Sequence, residues 1–577
     1  MDRYALFDVA IGNAIEQLKQ DADYMTTSVD EDGIRNALRH FGLTTLWILA
    51  VLMSMTVQNT WAQRITDMGH ATLTVRKQVV TNVELDTPVG TAARRQQDHT
   101  RAERSGFYDK AINEWLDMWW FTYQYPSVSG DGQPITLSAL ACMPDNDEGV
   151  TAVNNVIVGC HATISANWQC PSEFNRTGMI NSDVFMMMYH AGSTLIFKAP
   201  QSDQYYHNLV ILPDYEGYGV SKDRAHPYLC EEATARQVTD AVRYGISLYQ
   251  TDEQVSSIRH PFRDDWRTIC EGYSQGGAVA MATQRYIEQN GLTEELRLAG
   301  SVCGDGPYDP MVTILYYMEK DLQGEALSMP VVLPLILKGL CDYDDAMTGR
   351  QVSDYLEKRF LETGIIDWLT DKEKNTDEIT DSWIKLYKNG KDGDENYFRE
   401  VLTSSGKAYL KNILKPAIYD YFQQLLEQNP DYGNRAIALP RGGTPAEDLH
   451  LALEHNNLTR DWKPEHLVCL FHSTADKVVP FPNCQSALAS FGDQVKFYES
   501  ALNGNHGETG TEFFTISTRD ECIRMLAKEP YKKPTAIEPT IKQTEDNTKW
   551  YDIYGRTIQG KPRKGIYIKN GKKVIVT

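Results

Sequence analysis

From about residue 119 the hydrophobic positions alternate between two kinds of run. Short apolar stretches at 135–143, 155–160, 209–213, 298–303, 467–472 and 495–499 have the length and β-branched content of strands. Longer stretches at 232–249 and 278–289 place apolar residues three and four apart, the period of a helix with one buried face. The run 266–273 enters a glycine-rich turn directly before the second of these helices. Strands that alternate with helices predict βα units and a mostly parallel central sheet, an α/β fold.

Between residues 310 and 463 the strand signal stops and helical periodicity takes over, as at 352–361 and 407–425, so a helical cap is expected as an insertion. Within it, 372–394 is dense in charge and contains Asn389-Gly390, which reads as a solvated surface. Beyond Pro530 the composition turns to Pro, Thr, Lys and Glu, giving a linker over 531–549. The final residues 550–577 form a small β tail, because Asn570-Gly571 between 566–569 and 572–576 is a type I′ hairpin signal.

Near the amino terminus, 41–57 carries no charge, follows Arg35 and Arg39, and leads to Thr60-Trp61-Ala62, a small-residue cleavage pattern before Gln63. This is the pattern of a secretory signal peptide over 39–62, and it falls short of the ~18 apolar residues of a membrane span. Residues 1–38 precede it, which an internal translation start explains better than an uncleaved anchor. A further segment, 63–118, separates it from the α/β domain at 119–530.

The balance of 57 basic and 78 acidic side chains gives a net charge of −21, which leaves no basic footprint for nucleic acid. The stretch 556–577 departs from this with seven Lys or Arg and no acid. Ten cysteines show neither a C-x-x-C pair nor a Cys/His cluster at zinc spacing, so no metal or cofactor is implied. Cys160, Cys270, Cys303 and Cys469 lie in strand-like runs and read as buried free thiols.

Gly272-Tyr273-Ser274-Gln275-Gly276 fits G-x-S-x-G where a strand meets a helix, the context of a nucleophile elbow. A serine hydroxyl is a weak nucleophile and needs a base. In this architecture the partners follow in the order serine, acid, histidine. His506 is the last histidine of the chain, in the loop-like Asn503-Gly504-Asn505-His506-Gly507, and Asp476 follows the strand 467–472. Asp476 would orient His506 and stabilise its imidazolium, with Asp309 as the substitute acid. The Gln275 amide can face a developing oxyanion. The strand-to-loop segment Val158-Gly159-Cys160-His161-Ala162-Thr163 is placed to supply the second donor. His161 itself reads as a core histidine.

Taken together, Cys160-His161-Ala162-Thr163, Cys170-Pro171-Ser172, Pro213-Asp214-Tyr215-Glu216-Gly217-Tyr218-Gly219, the elbow through Gly277, Gly306-Pro307-Tyr308-Asp309, Asp476 and His506 resemble the secretory lipase family of α/β hydrolases. The resemblance implies an α/β-hydrolase fold, a Ser274–His506–Asp476 triad, an oxyanion hole near Thr163 and Gln275, and a cap framing an acyl pocket. Ala162 stands where that family usually has glycine. The tail motifs Trp550-Tyr551-Asp552 and Lys564-Gly565-Ile566-Tyr567 resemble carboxy-terminal sorting modules of exported bacterial proteins, which implies export machinery as a partner and a location outside the cytoplasm. The expected activity is that of a lipase or esterase acting on a small-molecule or lipid ester. A serine peptidase on a related capped fold, and a carbohydrate esterase removing acetyl or aromatic acyl groups, remain open beside it.

Overall fold

The computed structural model describes residues 63–79, 110–145, 152–174, 182–191, 207–432, 437–515 and 518–528, with short strand segments near both termini. The signal-like segment 39–62 and the linker 531–549 lie outside the described residues. The chain divides into two compact units, Met1–Glu529 and Pro530–Thr577.

The first unit is built on a nine-stranded sheet. Its strands are β1 (Arg64–Val79), β2 (Lys110–Val128), β3 (Pro134–Pro144), β4 (Asn155–Cys160), β5 (Asn208–Pro213), β6 (Thr268–Tyr273), β7 (Leu298–Gly304), β8 (Leu467–His472) and β9 (Val495–Glu499). Their order across the sheet is β9-β8-β7-β6-β4-β5-β3-β2-β1. β4 to β9 run parallel, and β1 to β3 add an antiparallel edge. This is the mostly parallel α/β sheet that the run lengths predict. It extends further towards the amino terminus, since β1 pairs along β2 and position 119 falls inside β2.

Period-two alternation sends successive side chains to opposite faces. On β4, Val156, Val158 and Cys160 join the core on one face, while Ile157 joins that on the other; on β5, Leu209 and Ile211 oppose Val210 and Leu212. Helices α2 (Glu231–Thr251), α3 (Gln275–Gln289) and α9 (Pro482–Phe491) cover the first face through residues such as Val238, Ala278 and Phe491. The second is covered by α1 (Ser182–Met188), α10 (His506–Thr515) and α11 (Thr518–Lys528) through Met187, Phe513 and Leu526. All ten cysteines are free thiols.

Between β7 and β8 the chain leaves the sheet and forms α4 (Pro310–Leu322), α5 (Val332–Tyr343), α6 (Thr376–Asn389), α7 (Pro416–Gln428) and α8 (Pro445–His455), which share a separate apolar core. Two periodic stretches are more broken than their pattern suggests. Residues 352–361 hold only a 3-10 turn and a four-residue helix, because Leu356 bridges Leu414. In 407–425 the break precedes Pro416, which holds Lys415 extended. The charge-dense 372–394 is not wholly solvated: Lys372 is 6 % exposed, and Ile379 and Trp383 are buried.

In the second unit, antiparallel strands β12 (Gly565–Lys569) and β13 (Lys572–Val576) pair Lys569 with Lys572, the register of a two-residue hairpin. β10 (Trp550–Tyr551) and β11 (Thr557–Ile558) complete a four-stranded sheet.

Candidate active site

β6 ends at Tyr273 and α3 begins at Gln275, so Ser274 alone reverses the chain, at φ 58° and ψ −126°. The flanking glycines are required by close backbone approach. A Cβ on Gly272 would lie 2.2 Å from the Gly276 oxygen, one on Gly276 2.0 Å from the Cys160 oxygen, and one on Gly277 2.5 Å from the Gly304 oxygen.

His506 Nε2 lies 2.9 Å from Ser274 Oγ, and His506 Nδ1 lies 2.5 Å from Asp476 Oδ2. A carboxylate can only accept, so Nδ1 carries the proton and Nε2 is free to accept from the serine. Asp476 Oδ1 accepts in turn from the amides of Val478 at 2.7 Å and Val479 at 3.0 Å. Burial pushes the Asp476 carboxyl up, but the charge of His506 and its hydrogen bond outweigh this and hold it below the usual carboxylate range.

His506 opens helix α10 instead of sitting in a free loop. Asn505 Oδ1 accepts from the amides of Gly507 and Glu508, while Glu508 Oε2 accepts from the Asn505 amide, a reciprocal cap that fixes the start of the helix. Asn503, at φ 48°, ties this segment to the acid loop by accepting from Thr474 Oγ1 and the Ala475 amide. Nothing in the spacing of Asn503 singles it out, since its partners lie in a different strand–loop unit.

Asp309 takes no part in this chain of bonds. Its carboxylate caps α4 by accepting from the Val312 amide, and the Asp309 amide donates to Asn483 Oδ1. The second carboxyl at the site is Asp305, directly after β7, which sequence reading missed. Asp305, Asp476 and His506 each place a donor atom within 4.8 Å of the others. Both ring nitrogens of His506 are committed to Ser274 and Asp476, so this trio does not fit a metal ion.

Among the described residues the amides of Gln275 and Thr163 make no hydrogen bond. The Ala162 amide is taken by Asp183 Oδ2 at 2.6 Å, which anchors the loop after β4 whatever side chain position 162 carries. Thr163 Oγ1 lies 2.7 Å from Tyr228 Oη. Gln275 Nε2 donates to His226 Nε2 at 2.7 Å, because His226 Nδ1 donates to the Glu216 carbonyl. Burial pushes the His226 pKa down to about 3, which keeps the ring neutral for this role. His161 is fully buried, stacked on Tyr215 at 4.0 Å, with its ring nitrogens facing the Ala162 and Asp214 carbonyls.

Ser274 opens into a cleft of about 640 Å³, including its mouth. Its walls include Tyr228, Pro310, Ile314 and Tyr317, Val332, Leu333 and Ile336 of α5, and Val478 beside Asp476; among the described residues no charged side chain lines it. The apolar run 330–337 packs into the core of the inserted helices, and three of its residues, Val332, Leu333 and Ile336, also line the cleft.

No family model matches the chain, and no curated relative does. Solved structures do. The rice cell wall degrading esterase LipA from Xanthomonas oryzae superposes with a TM-score of 0.51 at 19 % identity, over 80 % of this chain and 98 % of that one. A ligand-bound form of LipA gives a TM-score of 0.50 at 20 % identity, over 81 % and 97 % of the two chains. A putative hydrolase from Legionella pneumophila gives 0.52 at 16 % identity, over 75 % and 95 %. The chain has the α/β-hydrolase fold.

Proposed function

We propose that this chain is a serine ester hydrolase of the lipase and esterase type. The observation that carries the reading is the unbroken chain of hydrogen bonds Asp476–His506–Ser274, which ends on a serine facing an apolar cleft. Ser274 Oγ attacks the ester carbonyl as His506 Nε2 takes its proton, and Asp476 stabilises the imidazolium. The Gln275 and Thr163 amides face the resulting oxyanion. His506 then returns the proton to the leaving alkoxide, leaving an acyl-enzyme on Ser274 that water, activated by the same histidine, hydrolyses.

An uncharged cleft suits the acyl group of an ester with apolar substituents. Among the described residues it gives no anchor for a charged peptide terminus, which disfavours the peptidase reading. A carbohydrate esterase acting on an aromatic acyl group uses the same walls and stays within the proposal. The sequence patterns at 39–62 and 550–577 further support an exported protein. Amino-terminal sequencing of native material should then find Gln63 first.

The direct test is labelling with a fluorophosphonate followed by peptide mass spectrometry. Label on Ser274, and loss of nitrophenyl ester hydrolysis by at least about a thousandfold in Ser274→Ala, are expected. Label on another serine with activity retained in the variant would sink the reading.

A further inference from the structure

Two carboxyl groups stand at the ends of adjacent parallel strands, and they are unequally supplied with donors. Asp476 accepts from two amides and from His506. Asp305, held at φ 35° beyond β7 and fully buried, accepts one amide hydrogen bond, from Ser473 at 3.1 Å. The other groups facing Asp305 are Asp476 itself, His506, His472 on β8, Tyr273 on β6, Tyr308, and Cys484 on α9. None of these is a lysine or arginine. Lys477, next to Asp476 in sequence, is exposed and paired with Glu325.

Two neighbours of Asp305 each offer a lone pair, of which the single proton of an acid can meet one. His472 Nε2 lies 2.9 Å from the Val479 carbonyl, so it carries the ring proton and leaves Nδ1 as a lone pair. That Nδ1 is buried without a hydrogen-bond partner, 3.5 Å from Asp305 Oδ1. Tyr273 Oη lies 2.9 Å from Asp305 Oδ2 and 2.7 Å from the His506 carbonyl oxygen; it has one proton, and the carbonyl can only accept.

We propose that Asp305 is a permanently protonated carboxylic acid, a positioning residue that lets Asp476 hold the single negative charge of the site and, through Tyr273, fixes the backbone of His506. Two ionised carboxylates in one dry site repel, and the proton settles on the one with fewer donors. Burial first, then the Asp476 charge, push the Asp305 carboxyl far above its ordinary range. Burial also brings the His472 pKa down to about 4, so that ring does not neutralise Asp305 as an imidazolium.

This inference rests on the proposed triad, and its test is built to fail separately. Infrared spectroscopy of the full chain at pH 7 should show a protonated-carboxyl C=O band that Asp305→Asn removes. The same variant, which mimics a neutral acid, should keep the acid limb of its pH profile within about half a unit. Absence of the band from the parent at pH 7 would place the proton on His472 or nowhere, and would overturn the assignment. So would a fall of the acid limb by about one unit or more in Asp305→Asn, the signature of removing a full negative charge beside His506. The difference between parent and Asp305→Asn separates this band from that of other buried acids such as Glu231, and it reports on Asp305 even if fluorophosphonate labels a serine other than Ser274.

Discussion

Lys372, at the end of a short helix in the inserted region, donates its ammonium to the carbonyl oxygen of Gly217, in the loop after β5. The same nitrogen also donates to the carbonyls of Lys222, at 2.7 Å, and Arg224, and it stands 5.3 Å from the Tyr218 ring centroid. The loop it clamps leads into His226, the partner of Gln275, and Tyr228 on the cleft wall. Lys372→Met should strand three carbonyls and cost about 3 kcal/mol, read as a lowered urea midpoint. Hydrolysis should fall with it. An unchanged midpoint and rate would show that the clamp holds nothing in place.

Gly276→Ala forces a methyl group into the Cys160 carbonyl, a backbone atom that cannot step aside. The variant should be poorly soluble or lose most of its thermal stability. Gly507→Ala is the matched control, since its Cβ would meet nothing closer than Asn505 Oδ1 at 3.6 Å. A normal melting temperature for Gly276→Ala would mean that the elbow is looser than described.

Chain-length preference should be set by the face of α5 that lines the cleft. Each methylene fully buried in the transition state contributes up to about 0.8 kcal/mol, or about fourfold in kcat/KM. On nitrophenyl esters from acetyl to palmitoyl the parent should rise steeply and then fall. Ile336→Trp should move the maximum to shorter acyl groups. A folded, active variant with the parent's profile would assign selection to other walls.

Stability should also depend on Glu231. It is buried at the start of α2 with neither carboxyl oxygen hydrogen-bonded, and burial pushes its pKa up to about 8. The unfolded chain releases this proton near the ordinary value of 4.5, so from there to about pH 8 the native state binds more protons. Its contribution is complete below pH 4.5 and is lost as pH rises, by at most about 1.4 kcal/mol per unit. Glu231→Gln should therefore gain melting temperature relative to the parent at pH 8 and not at pH 4.5. Parallel curves across this range would exclude Glu231 as a source of pH dependence.

The strands β4 to β9 were legible because buried parallel strands leave short apolar runs bounded by turns and helices. The elbow was legible because its glycines answer to backbone contacts within a few residues of Ser274. Asp305 was not, since its meaning comes from lying one strand away from Asp476, and more than 160 residues of chain separate the two. Lys372 misled for a related reason. A charge run is usually solvated, and what buries this lysine is a set of carbonyls from the loop after β5, which no local pattern announces. At His506 the local signals Asn505 and Glu508 were present and mark a helix start, although the run of small polar residues reads first as a loop.

The placement of Ser274 after β6 and Asp476 after β8, with the long helical excursion between them, has a consequence for how the protein is made. A chain emerging from the ribosome can complete β6, the elbow and β7 while the acid and base are still untranslated. If the proposed triad operates, competence arrives only after residue 506, when the helices of the insertion have had time to form over the serine. Under the proposed mechanism, a nascent chain that has not yet reached residue 506 holds its nucleophile without the base that would activate it.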